Sequence, residues 1–157
     1  MKARQHLALG IFIIFIFMFI DLYTGNQILT GFMAKTGLNV LTFFVGIVLF
    51  VVGLILPDSD SKDAGSKIFY TYFFIFGWIN KLLEFPISKL LGRPKGHRES
   101  LHTILGITMT SIFFAIIISI ILYFDKSFQL FTIPFLFLCL FFGQIIHLLG
   151  DWHWSIK

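Results

Sequence analysis

Side chains able to do chemistry are concentrated at a few points of this sequence. The densest is Gly96-His97-Arg98-Glu99-Ser100-Leu101-His102, where two imidazoles, a guanidinium and a carboxylate stand immediately before a long apolar run. His97, His102 and His147 lie at the ends of apolar segments, and His6 opens the first. His147 and Asp151 are four apart, so on one continuous helix they share a face. That spacing suits two ligands of one metal ion, a His oriented by its carboxylate, or an interfacial pair closing a helix. His97 and His102 are five apart and on one helix would splay by about 140°. They converge if His97 lies in a loop ahead of the helix, an arrangement that Ser100 as N-cap provides. Asp58 and Asp60 point the same way in an extended chain, although Asp after Pro57 is most often turn chemistry. Together Asp58, Asp60, His102, His147, Asp151 and His6 make a nitrogen and oxygen ligand set for a divalent ion, Zn, Mn or Fe. Such an ion lowers the pKa of its water to about 7 and so supplies the nucleophile for a hydrolysis. His97 is then placed to shuttle a proton. Arg98, beside a helix N-terminus, either holds a phosphate or snorkels to headgroups. Glu99 is a general base or a partner of the helix dipole.

The elements that must position these groups are apolar. Of 157 residues 57% are hydrophobic and only 13% charged, with 22 Phe, so an aqueous surface could not be built without large exposed apolar patches. An integral membrane protein of one helical domain, residues 1–157, is expected. The formal net charge of +4 does not indicate a nucleic-acid reader, because no soluble domain can be cut out to present a basic patch. The lone Cys139 excludes an internal disulfide and a cysteine-based metal site.

Four spans are expected, at about 6–23, 38–56, 101–124 and 128–149. The first is read as a span rather than a cleaved leader, since no small-x-small site follows it. The Gly- and Thr-punctuated stretch 24–37 reads as a connecting loop. Residues 68–79 are apolar but too few to cross, and with Lys81, Glu84, Pro86 and Lys89 beyond them the stretch 68–91 is expected to be interfacial or re-entrant. Pro134 is a candidate kink, Trp152 and Trp154 mark the interface, His153 and Lys157 are tail residues, and Asp21, Asp63 and Asp125 are interfacial or turn residues. Mid-span polar groups are expected to be Thr and Ser alone.

If 68–91 turns back, both termini, the Asp58 loop and the His97 loop share one side. That side holds Lys2, Arg4, Lys62, Lys67, Lys81, Lys89, Arg93, Lys95, Arg98 and Lys157, against Lys35 and Lys126 opposite. If the stretch crosses, the division is five against seven and the two loops are separated by the bilayer. Positive-inside sorting selects the first arrangement and makes the crowded side, with both termini and the site, cytoplasmic. The same basic excess suits anionic lipid or another phosphorylated substrate.

Leu56-Pro57-Asp58-Ser59-Asp60, then His97-Arg98-Glu99-Ser100-Leu101-His102-Thr103, then His147-Leu148-Leu149-Gly150-Asp151 resembles the YdjM-type family of membrane-bound metal-dependent hydrolases. That family's pattern is Leu-Pro-Asp-x-Asp-His, His-Arg-Gly-x-x-His-Ser and His-x-x-x-Asp, with an early His that His6 matches. Ser61 stands where the family has His, Glu99 where it has Gly, and Trp152-His153-Trp154 where Thr and Gly are expected. The resemblance implies a multi-span helical membrane protein assigned to metal-dependent hydrolysis by its motifs, with the substrate undefined; hydrolysis of an ester or phosphoester at the bilayer surface is the expectation for this chain. A weaker similarity, to lipid phosphate phosphatases of the vanadium-haloperoxidase type, fails because Pro86 stands where a Lys is required before Arg93. Two other classes remain open at this level: a protein that binds or conducts a metal ion without catalysis, and a structural membrane protein with no ligand.

Overall fold

A computed structural model describes the backbone of residues 3–25, 27–57, 74–92 and 103–155, and within these the side chains other than those of residues 3, 4, 6, 91 and 151–155. The described residues form six helices and no strand: α1 Ala3–Tyr23, α2 Gln27–Thr36, α3 Val40–Gly53, α4 Phe74–Leu91, α5 Ile104–Phe124 and α6 Thr132–Ser155. Two of them, over Ile104–Phe124 and Thr132–Gly150, are long and apolar enough to cross a membrane. The pair Leu7–Tyr23 and Gln27–Thr36 is bent by 95° and counts as a third span if taken as one, while the apolar helix Val40–Gly53 has 14 residues. Exposure is inverted relative to a water-soluble fold. Phe15 and Phe19 are 67% and 70% exposed, whereas Ser111, Gln144 and His147 are 0%, 2% and 0% exposed. Only an apolar solvent makes that distribution favourable.

Helix α6 is the centre of the bundle, packed against α3 and α5 and more lightly against α1. Helices α3 and α6 run parallel: Gly46 lies on Phe135 and Cys139, and Gly53 on the backbone of Leu140, Gly143 and Gln144. Two glycines face each other at that crossing, and the absence of side chains lets the backbones touch, as packing in lipid favours. At the far end of the same pair, Asn39 caps α3 by accepting from Thr42 N at 2.7 Å, and Asn39 Nδ2 and Thr42 Oγ1 both donate to Ser127 O at 3.2 Å. Ser127 belongs to the connection that returns α5 into α6. There Lys126 adopts φ +60°, and the amides of Lys126 and Ser127 bond back to Tyr123 O and Leu122 O. The core is built from Leu49, Val52, Leu54, Leu56, Phe114, Ala115, Leu136 and Leu140.

Several expected boundaries are corrected. The stretch 24–37, expected as a loop, contains α2. The Asp21 carboxylate accepts from Leu29 N at 2.8 Å and so satisfies one of the orphan amides of α2, while Gly25 at φ +71° and Gly37 at φ +71° end α1 and α2. The glycines there mark helix ends. The cap of α5 is Thr103, not Ser100: it is extended at φ −100° and ψ 154°, and its side chain accepts from Gly106 N at 2.9 Å. Helix α3 stops at Gly53, short of the expected residue 56. Pro134 is the third residue of α6, where a missing amide costs no helical bond, so it marks a start and not a kink. Gln144 adds an amide to mid-span positions expected to hold only Thr and Ser. The 68–91 stretch contains α4 from Phe74, with Pro86 inside the helix.

Candidate functional site

Four elements bring their ends to one place. Helix α3 leaves the bundle through residues 54–57, all buried, and these lead directly to Asp58. The last carbonyls of a helix have no intrahelical partner, and at this depth water cannot serve them. Side chains do so instead. His147 of α6 bonds Leu54 O through Nδ1 at 2.9 Å, and Asn80 of α4 donates Nδ2 to Leu56 O at 3.1 Å.

The first of these bonds carries chemical information. A carbonyl oxygen only accepts, so Nδ1 of His147 carries the proton, and in the neutral ring the lone pair is then on Nε2. A backbone carbonyl bonded to one ring nitrogen, fixing tautomer and ring orientation for the other, is the usual outer support of a metal-binding imidazole.

One turn before His147, Gln144 lies between Thr110 and Ser111 of α5, at 3.1 Å and 2.9 Å. This buried trio fixes the register of the antiparallel α5 and α6. Asp151 is seven residues past Gln144 and Thr103 seven before Thr110, so the two fall level along the axis. The start of α5, immediately after His102, is therefore at the same end as His147 and Asp151. Helix α1 adds His6. Gly10 sits against the Leu54 side chain with no room for a Cβ, and Asp21 and Leu22 share a groove with Phe43, so α1 runs antiparallel to α3. His6 is one turn beyond Gly10 towards the end where α3 exits.

Of the expected site residues, Asp58, Asp60, His97, Arg98 and His102 lie outside the described residues. His6 and Asp151 are placed by backbone only, in α1 and α6, and α6 does continue past Asp151, as a shared face with His147 requires. His147 is placed in full. Among the described residues no group of three or more His, Cys, Asp or Glu side chains stands where one ion could be shared. Among the described residues, α3 exits and α5 enters at the same end of the bundle. Asp125 is a turn residue, accepting from Ser127 Oγ at 2.8 Å, whereas Asp21, expected as interfacial or turn, is a buried residue of the last turn of α1 whose carboxylate caps α2. A groove of about 720 Å³ between α1, α2, α3 and α6 lies in the opposite half of the bundle, and its lining is apolar apart from Asp21 and Cys139.

Reading along the sequence missed Asn80 and Gln144. Each is an amide inside an apolar stretch, where an unbonded polar group is costly, and that cost was the available signal. A model of the family described as YdjM inner membrane protein matches residues 1–157. No curated protein and no solved structure shows a match. With the match covering its whole length, the chain belongs to the YdjM family of inner membrane proteins.

Proposed function

We propose that this protein is a metal-dependent hydrolase of the membrane, acting on an ester or phosphoester, lipid headgroups included, at the cytoplasmic face. The observation that carries the reading is His147: a fully buried imidazole whose Nδ1 is committed to Leu54 O, at the bundle end towards which the described flanks of the three motif segments and the start of α1 lead. An ionisable ring buried in an apolar bundle and fixed in this way suits a metal ligand.

In this reading Asp58, Asp60, His102, His147 and Asp151 hold a divalent ion, with His6 as a further ligand, and the nitrogen and oxygen donors suit Zn, Mn or Fe. Bound there, the ion would supply Lewis acidity and a water with a pKa of about 7. His97 takes up and returns a proton. Arg98 holds an anionic group through charge-assisted hydrogen bonds, and the N-terminus of α5 adds to the preference for an anion. The four-span arrangement, with α1, α3, α5 and α6 crossing and α4 turning back, gathers ten basic residues on the site's side and gives its cytoplasmic orientation.

The test is metal content in detergent-purified protein, with His147→Ala and His147→Asn. The Asn amide reproduces the donor to Leu54 O and lacks the second ring nitrogen. Both variants are expected to lose bound metal, and His147→Asn to keep the thermal stability that His147→Ala loses. Full metal occupancy in His147→Asn would overturn the assignment.

A further inference from the structure

We infer that Asn80 is a positioning residue of this site, holding the take-off of the Asp58 segment through the Leu56 carbonyl; the inference rests on the metal-site reading above. Asn80 lies outside all three motifs, yet it is 1% exposed in a helix otherwise amphipathic. Burying an amide is unfavourable unless it is bonded, and its Nδ2 donates to Leu56 O at 3.1 Å. Leu56 is two residues before Asp58.

The location of α4 gives that bond its consequence. One turn before Asn80, Phe76 packs on Phe114 of α5 with ring centroids 5.0 Å apart, which anchors α4 at mid-bundle. From there α4 reaches Leu56 at Asn80 and ends at Gly92, φ +61°, five residues before His97 in the sequence. Helix α4 therefore holds the chain at the residue that precedes Pro57 and the first motif's carboxylates. His147 grips the same exit two residues earlier, at Leu54 O. Residues 54–57, a turn followed by a 3-10 turn beyond α3, are thus held by side chains from two elements, one a proposed ligand and one not. Outer-shell partners of this kind typically change metal affinity by about 10–100-fold when removed.

The experiment compares Asn80→Leu, close in volume but without a donor, with Thr42→Val. Thr42 is equally buried and also donates to a backbone carbonyl, Ser127 O at 3.2 Å, at the opposite end of the bundle. Both variants lose a side-chain donor to a buried backbone carbonyl. Binding of Mn²⁺ to the metal-stripped protein is expected to weaken about 10–100-fold in Asn80→Leu and to remain at the wild-type value in Thr42→Val. Hydrogen exchange over residues 54–60, measured without metal, should accelerate in Asn80→Leu alone. Unchanged affinity and exchange in Asn80→Leu, or equal changes in both variants, overturns the inference. Wild-type protein that binds no Mn²⁺, Zn²⁺ or Fe²⁺ would sink the metal-site reading instead, and the exchange measurement would still decide whether Asn80 holds the segment.

Discussion

Gly53→Ala probes whether the bundle and the site are mechanically one. A Cβ on Gly53 would stand 2.5 Å from Leu140 O, 3.1 Å from Gln144 N and 3.1 Å from Gly143 Cα. All three are backbone atoms of α6, so no side chain can rotate away, and ordinary contact requires at least 3.4 Å. The helices must separate locally by roughly 1 Å to restore contact distances. Leu54 follows Gly53 directly and would be carried with it. Its carbonyl, now 2.9 Å from His147 Nδ1, would move to a distance at which little of the hydrogen bond survives. Overpacking costs about 1–3 kcal/mol and the lost bond about 1 more, so Gly53→Ala should be destabilised by about 2–4 kcal/mol. Gly31→Ala is the control, since nothing lies within 4 Å of its added Cβ; inside α2 it should be neutral or stabilising by up to about 1 kcal/mol. The assay is unfolding of the detergent-solubilised protein, with bound metal measured in parallel. A Gly53→Ala protein as stable as Gly31→Ala, with undiminished metal, would refute the close crossing and its link to His147.

Two other outcomes are expected. Gln144→Leu removes the partner of Ser111 in a buried interface, while Thr110 Oγ1 keeps the Gly106 and Ile107 carbonyls, and should cost about 1–2 kcal/mol; Gln144→Leu combined with Ser111→Ala should recover much of it, and an additive loss in the double variant on unfolding would contradict the network. Reporter fusions at Lys89 and at Ser127 should report opposite sides of the membrane, and activity from the same side would remove the four-span arrangement.

What the sequence determined by itself is what lipid demands locally. A span must be a long apolar run and a re-entrant piece a shorter one, so α5, α6 and the first helix were legible from length and composition. The motif residues were legible because charged groups are rare in such a chain. Helix α2 was not, since its capping carboxylate, Asp21, belongs to the preceding helix. The rest depended on pairing between distant segments: Leu54 with His147, Leu56 with Asn80, Thr110 and Ser111 with Gln144. Two of these contacts fall on backbone carbonyls, which every residue carries and which therefore leave no mark in the sequence. The glycines at 53 and 143 likewise acquire meaning only when their helices cross. Tertiary structure thus decided which ends meet and what His147 is bonded to, because burial in lipid forces each unpaired polar group to find its partner on another element.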